Sequence, residues 1–552
     1  MLLAPRAASL LRLAPLVPAL AFAAASVWFV LTNYLRLPFW DYWDWLANYY
    51  AHGFVSAALT MSNEHRPVFP ALLFGLDATV GQARGLLLTA AGLALQFAGF
   101  AGLLLPLRGA AIVPRREKLL LASVAIVSAG WFIQGENLFW PINAQIFLCN
   151  AAMVASAWGF SRRAEGRRWI ALCIAGGAVS GLSFAHGMLI WPAMVLALVR
   201  KRERAGRVAI PLAASAAALL YAWGYRTPPH HADPWQSLHK PVEVAGYVVS
   251  YFGNVFRRAL PAPFDPDRIA GIVAALGLCL VVAAILHYLW RRDSERAEDF
   301  YIPLLSTGLA AGLVTALGRI TLEPGQALSQ RYITVQLLFW TGAAILGTIR
   351  LHRWGIGSGG RALWTAAAVL WPLSMIPSHL FQGEAWAAAG RINRHQEIAI
   401  SIGLEDEEMW KKHLHPHAPT IRAALAGMRS ARKGPFADGG PEQVGSLLRR
   451  PAEATCLGEV GPAAVIRGPG GEGRRYRGWI AGRSGEPVRV VVVAERSRTI
   501  EGLGWTGHEA TASEASRWSG FTAYVRPGAE ARLEVLGVPD SGAPCSLGRG
   551  SP

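Results

Sequence analysis

WDYWDWLANYYAHGFVSAALTMSNEHRP fills Trp40–Pro67, between one long apolar run and the next. It holds two acids three residues apart, Asp41 and Asp44, a cluster of Trp and Tyr, and the run Asn63-Glu64-His65-Arg66. Before it lies an apolar stretch, 13–35, close to the ~20 residues that span a bilayer. After it, apolar runs recur almost to residue 378. A stretch this polar and aromatic at the mouth of such a chain is where chemistry is expected.

Of the 552 residues, 53% are hydrophobic and only 16% charged. An ordinary soluble protein carries about 25% charged residues. The deficit and the repeated apolar runs predict a polytopic membrane protein. The formal net charge of +17 does not point to nucleic acid, because the Lys and Arg sit mostly in short loops between apolar runs. A positive-inside arrangement accounts for them. Arg6 and Arg12 precede an Ala-rich apolar stretch without a clean cleavage site, so the first helix reads as a retained signal anchor.

Apolar segments are expected near 68–80, 85–106, 118–133, 145–160, a hairpin over 168–199, 208–225, 269–290, 301–318, 332–349 and 362–378. Residues 242–260, interrupted by Gly246, Gly253 and Asn254, fit an interfacial or re-entrant helix better than a span. With the N-terminus in the cytoplasm, Arg115/Arg116, Arg162–Arg168, Arg200–Arg207, Arg291/Arg292/Arg296 and Arg350/Arg353/Arg361 all fall inside. The expected fold is mainly α: a transmembrane bundle of about eleven spans over 1–378, a helical region and linker over 379–449, and an extracytoplasmic β-sandwich-like domain over 450–552. Cys456 and Cys545 bracket that last domain. Outside the cytoplasm they are expected to form a disulfide; two buried free thiols are the alternative. Cys149, Cys173 and Cys279 lie in apolar segments and read as packing residues.

The same topology gathers the least lipid-like residues of the bundle on the outer side. Asp41 and Asp44 come first: on a helix their spacing gives one face, and a partly buried carboxylate can take a proton from a hydroxyl. The plain alternative is a pair of solvated interfacial acids. The neighbouring Trp residues fit an aromatic belt at the water interface, with sugar stacking as the other reading. Glu64, His65 and Arg66 suit an acceptor hydroxyl or a phosphate, against local ion pairing at a helix end. Glu136 and His186 are placed in the same cavity, with helix packing as the alternative. Arg319 and Arg331, the latter beside Tyr332, frame an outer loop that also carries Glu323, and guanidinium groups suit phosphate. His230-His231 reads as a solvated loop pair. No metal-ligand spacing of the HExxH kind occurs, so no cofactor is expected, a divalent metal being the open alternative.

Several of these pieces carry a resemblance: FWDYWDW (39–45), NEHRPVFPALL (63–73), GENLFWPINAQIF (135–147), LSFAHG (182–187) and Gly318-Arg319 followed by Arg331-Tyr332. Together, over about 36–349, they resemble bacterial membrane proteins of the GT-C glycosyltransferase superfamily. The resemblance implies an inner-membrane, multi-pass enzyme that moves a sugar from a polyprenyl-phosphate or -diphosphate donor to an envelope glycan or lipid acceptor on the extracytoplasmic face. It implies an acid in the first outer loop as catalytic base, a place that Asp41 and Asp44 occupy. Glu64, His65, Arg66, Glu136, His186, Arg319, Arg331 and Tyr332 would then bind substrate. The tail lacks the WWD-type signature of oligosaccharyltransferases, which argues against protein asparagine as acceptor. The main rival is a transporter or flippase of a lipid-linked glycan. A polysaccharide polymerase or ligase of another fold and a non-catalytic scaffold are the others. No internal repeat of the transporter kind is visible, and the polar residues favour one face.

Overall fold

The computed structural model describes residues 16–201, 206–225, 234–257, 265–291, 293, 295–320, 324–437, 444–448, 454–481, 489–494, 497–508, 519–529, 532–538 and 544–549. His230, His231 and Glu323 lie outside these residues.

The chain is mainly helical and ends in a nearly closed sheet. Among the described residues seven helices are long and apolar enough to cross a membrane: Leu16–Asn33, Leu86–Gly109, Arg115–Phe139, Pro141–Ser161, Pro266–Trp290, Arg296–Arg319 and Gln330–Arg353. Shorter apolar helices occupy Val68–Thr79, Ala185–Val199 and Ala209–Ala222. Local chemistry sets several boundaries. Asp265 caps Pro266–Trp290 by accepting from the Asp267 and Arg268 amides, and Pro266 supplies the fixed φ of a first helical residue. Gly85, left-handed at φ 73°, opens Leu86–Gly102. Leu16–Asn33 and Pro266–Trp290 keep most of their apolar surface exposed, as lipid-facing helices would, whereas Gln330–Arg353 is central and largely buried.

Two polar ends can be told apart. At one, buried Arg163 pairs with Asp299 at 3.0 Å and buried Arg350 with Glu298 at 2.7 Å, while His352 meets Glu117 at 2.7 Å. At the other stand Glu64, Glu136, Arg319 and Arg331. Helix Arg296–Arg319 joins them, with Glu298 and Asp299 in its first turn and Arg319 at its end. Its 24 residues cover about 36 Å at 1.5 Å each, the thickness of a bilayer core with a little to spare.

The stretch expected as a polar loop is a helix, Asp41–Leu59, broken at Gly53, where φ is 83°. The Phe54 ring just past the break lies over Gly75 of the next helix, where a Cβ would sit 2.8 Å from it. Trp43 is fully buried and Trp45 nearly so, in a core with Ile400, Trp410, Leu414, Ile421, Leu425 and Met428. These aromatics form neither an interfacial belt nor a free stacking platform. They are the seat on which helix Ala418–Ser430 docks, because burying large flat rings yields more than leaving them at the interface. Trp40 remains well exposed.

The boundary expected at 378 falls inside helix Ile376–Ser401, which follows Ser358–Ser374 after a single-residue break and packs on Leu16–Asn33. Pro241–Arg257 is a helix whose Tyr247, Tyr251, Phe252 and Asn254 pack inward, while Val242 is 83% exposed.

The C-terminal strands are β1 (Ala454–Thr455), β2 (Leu457–Val460), β3 (Ala464–Gly468), β4 (Gly471–Ala481), β5 (Arg489–Ala494), β6 (Ile500–His508), β7 (Gly520–Val525), β8 (Leu533–Val538) and β9 (Cys545–Arg549). They form one sheet in the order β1-β9-β8-β5-β6-β7-β4-β2, with β3 on β4. A sandwich needs two packed sheets. Here the single stretch Ala454–Val460 pairs in parallel with β9 and antiparallel with β4, so it nearly closes one sheet on itself. Cys456, between β1 and β2, is disulfide-bonded to Cys545, with Cα atoms 5.1 Å apart. Val490 and Val492 of β5 face the interior with Tyr476 and Phe521, and Val491 and Val493 face out toward Ile398 and Leu448. Both faces of β5 are therefore covered, which explains its unbroken valine run.

Candidate functional site

The site begins at the first turn of helix Asp41–Leu59. Trp40 before it is left-handed at φ 46°, a conformation bulky residues rarely adopt, and its amide donates to the Leu414 carbonyl at 2.8 Å. That places Asp41 and Asp44 at a helix N-terminus, where the dipole favours their negative charge. The two acids differ sharply. Asp44 is exposed, and its Oδ2 lies 3.3 Å from Nε2 of His415. Asp41 turns inward and accepts from Asn63 Nδ2 at 3.3 Å. Burial raises the Asp41 pKa above the ordinary value, and the Asp44 and Glu64 charges add to this, while Arg331 and His415 oppose it.

Glu64 follows on the turn that Ser62 and His65 close by a reciprocal pair of backbone bonds. Its Oε1 accepts from Arg319 Nη2 at 3.2 Å, and Arg319 also donates to Gln326 Oε1 at 3.3 Å. His65 is buried, stacks on Phe184 with centroids 3.6 Å apart, and takes the Ala185 amide on Nδ1 at 3.3 Å. Arg66 reaches a different place: its Nε donates to the Tyr221 carbonyl at 2.8 Å.

A second acid–guanidinium pair joins the other two loops. Arg331 Nε stands 3.4 Å from Glu136 Oε1, and Ser329 Oγ donates to the other carboxylate oxygen at 3.4 Å. Asn137 ties the loops below this pair, donating to the Arg331 carbonyl at 2.8 Å and to Thr334 Oγ1 at 2.7 Å. Arg331 is half exposed at its side chain, Arg319 only 17%. The Tyr332 ring packs beside Tyr251 of helix Pro241–Arg257, with centroids 5.2 Å apart, and its hydroxyl is buried.

Asp41, Asp44, Glu64, Glu136, Arg319, Arg331 and Tyr332 thus come to one region, assembled from loops far apart in the chain. His186 does not join the acids. Its Nε2 bonds Asn150 Oδ1 at 3.0 Å and Cys149 Sγ at 3.4 Å, and its ring lines an apolar cavity inside the bundle with Leu103, Met153, Tyr301 and Phe339. Among the described residues no three His, Cys, Asp or Glu side chains are grouped to share a metal ion.

The residue that sequence reading missed is His415. It belongs to the tail, in the segment HLHPHAP (413–419), whose three alternating histidines were the available signal. The charge-bearing set is chemically able to take up a proton at Asp41 and to hold an anion at Arg331 and Arg319. No protein-family model, no curated protein and no solved structure matches the chain.

Proposed function

We propose that the protein is a membrane glycosyltransferase of GT-C type, moving a sugar from a polyprenyl-phosphate-type donor to a hydroxyl of an envelope glycan or lipid. The observation that carries this reading is the partly buried Asp41, raised in pKa by its burial, facing the half-exposed Arg331 from another loop. Asp41 takes the proton of the acceptor hydroxyl. The freed oxygen attacks the anomeric carbon from the face opposite the phosphate. The bond from that carbon to the phosphate oxygen breaks, and its electron pair leaves with the carrier phosphate. Arg331 and Arg319 meet the charge that develops there. Glu64 and Glu136 hold the two guanidinium groups in place before substrate arrives. His65 and Arg66 fix the turn that carries Glu64, and His186 braces the Ala185 turn on which His65 rests. Tyr332 packs on helix Pro241–Arg257 beside the arginines and shields that side of the site. The chain sits in a bacterial inner membrane, with its N-terminus in the cytoplasm and the acids, arginines and C-terminal sheet on the extracytoplasmic side.

The test is release of carrier phosphate by the purified full-length protein from a panel of polyprenyl-phosphate sugars. Removing a general base costs about 10²–10⁴-fold in rate. Asp41→Asn is expected to lose that much with its thermal unfolding unchanged. Full turnover in Asp41→Asn, Asp44→Asn and the double variant would sink the base assignment. Intact lipid-linked sugar carried across a liposome membrane, with no phosphate released, would make the protein a transporter.

A further inference from the structure

The tail reaches the acid pair through one side chain. The strap from Leu404 to Leu414 leaves the end of helix Ile376–Ser401, forms helix Glu407–His413 around buried Trp410, and lays Leu414 and His415 across the start of helix Asp41–Leu59. Two contacts lock it there: the Trp40 amide on the Leu414 carbonyl, and His415 Nε2 on Asp44. The His415 ring also stands edge-on to Trp40, with centroids 6.3 Å apart. Its other nitrogen, Nδ1, lies 3.2 Å from the His417 carbonyl and 3.1 Å from the His417 amide, so it has a partner in either protonation state. An ionised carboxylate can only accept a hydrogen bond. Nε2–H is therefore the donor, and Asp44 is the acceptor.

We propose that His415 is a positioning residue for the acid pair: its Nε2–H holds the Asp44 carboxylate outward as an anion, leaving Asp41 as the carboxylate of the pair that takes a proton. The inference rests on the glycosyltransferase reading for its catalytic meaning, though the His415–Asp44 contact has a readout of its own. Without the tail, two acids one turn apart compete for the same role. With it, they are divided: Asp44 is bound to the strap, while Asp41 accepts from Asn63. The groups that face Asp41 are Asp44 on its own helix, Glu64 from the following turn, Arg331 from the loop before helix Ile333–Arg353, and His415 from the strap. The C-terminal third of the chain is then part of the site, not an appendage. The chain of support runs from the sheet through Arg475 and Asp406 to the strap, and from His415 to Asp44.

The experiment uses full-length protein in detergent and two measurements. The first follows the His415 ring by NMR against pH in wild type and in Asp44→Asn. Asp44 is expected to keep the ring protonated to higher pH, and Asp44→Asn to move its titration downward. An unchanged titration overturns the contact, whatever the protein catalyses. The second measures carrier-phosphate release across pH for wild type, Asp41→Asn, His415→Ala and His415→Gln. Misplacing a reacting group can cost up to about a hundredfold. His415→Ala is expected to lower kcat about ten- to a hundredfold with little change in donor KM. His415→Gln restores a donor near the same place without the charge, so it should recover most of kcat. In both variants the acid limb of the profile should move to higher pH, because the positive charge that opposes proton retention on Asp41 is gone. Wild-type kcat and an unmoved limb in His415→Ala, with Asp41→Asn inactive, would overturn the positioning role and leave the enzyme assignment standing. Full activity in Asp41→Asn would instead overturn Asp41 as the base, and no phosphate release by wild type would sink the enzyme assignment.

Discussion

Arg475 of the C-terminal sheet places Nη1 2.8 Å from both carboxylate oxygens of Asp406, and the Tyr524 hydroxyl donates to the same carboxylate at 2.5 Å. Asp406 also caps helix Glu407–His413 by accepting from the Met409 amide. One buried acid therefore fixes the sheet to the strap that carries His415. Removing one partner of a buried, hydrogen-bonded ion pair costs about 3–5 kcal/mol, because the other charge stays behind without compensation. Asp406→Asn is expected to lower the unfolding temperature clearly. Asp406→Leu combined with Arg475→Met should recover much of the loss, since no buried charge then remains. Thermal unfolding of the two variants in detergent decides it: an unchanged Tm in Asp406→Asn would mean that the sheet is held by its apolar contacts alone.

The seat of the strap is as tight as its anchor. Gly427 of helix Ala418–Ser430 passes so close to helix Asp41–Leu59 that a Cβ there would lie 2.3 Å from Tyr50 Cβ. Both atoms sit next to backbone, so neither helix can yield cheaply. Overpacking of this kind costs about 1–3 kcal/mol. Gly427→Ala is expected to loosen the docking, seen as faster proteolysis within 402–437, and to reduce turnover in step. Proteolysis at the wild-type rate would show that the two helices are less firmly packed than this contact requires.

The residues explain how much of this was legible. The arginine-rich turns could be read because charge cannot lie in lipid, and Arg163, Arg350 and Glu298 do gather at one end of the bundle. The loop acids and arginines could be read for the same reason. The helical state of Asp41–Leu59 was obscured by Gly53 and by an aromatic content that looked interfacial. The docking of Trp43 against the tail was not legible at all, because a buried Trp carries no mark of its distant partner Trp410. His415 was missed for that reason, not for lack of chemistry. In the sheet, the strands could be read from their alternation, but closure depends on Ala454–Val460 pairing at both edges, a long-range choice that local pattern does not encode.

The acid pair also makes stability depend on pH, with a definite sign. Burial tends to lower the His415 pKa, but its bond to Asp44 and that carboxylate's charge outweigh this and leave it above the ordinary 6.5. A base with a raised folded pKa contributes stability that is fully present below 6.5 and lost as pH rises through the folded value. Asp41 acts in the same direction lower on the scale. Its folded pKa lies above 3.8, so the native state binds that proton more tightly than the unfolded chain, and the contribution fades as pH climbs past 3.8 through the folded value. Tm should therefore fall as pH rises from about 6 to about 8, beyond the drift seen in a His415→Gln control. Equal slopes in wild type and His415→Gln would remove His415 from the account.

The two arginines should separate by exposure. Arg331 is half exposed, and its partner Glu136, 19% exposed, keeps the Ser329 hydroxyl as a second donor, so Arg331→Ala leaves that carboxylate partly compensated. It is expected to lower Tm less than Arg319→Ala does. Removing one donor to a developing negative charge costs about a hundredfold or more in kcat, and that is the loss expected for Arg331→Ala in carrier-phosphate release. Arg319 is 17% exposed and holds Glu64, itself 22% exposed. Arg319→Ala should lower both Tm and turnover, because the Glu64 carboxylate then loses its guanidinium partner in a poorly solvated place. Glu64→Gln combined with Arg319→Gln takes away both charges and should bring Tm back while turnover stays low. That combination separates a guanidinium needed for anion binding from one needed only to neutralise Glu64. Recovered turnover in the double variant would assign Arg319 to structure and leave Arg331 as the sole cation for the departing phosphate.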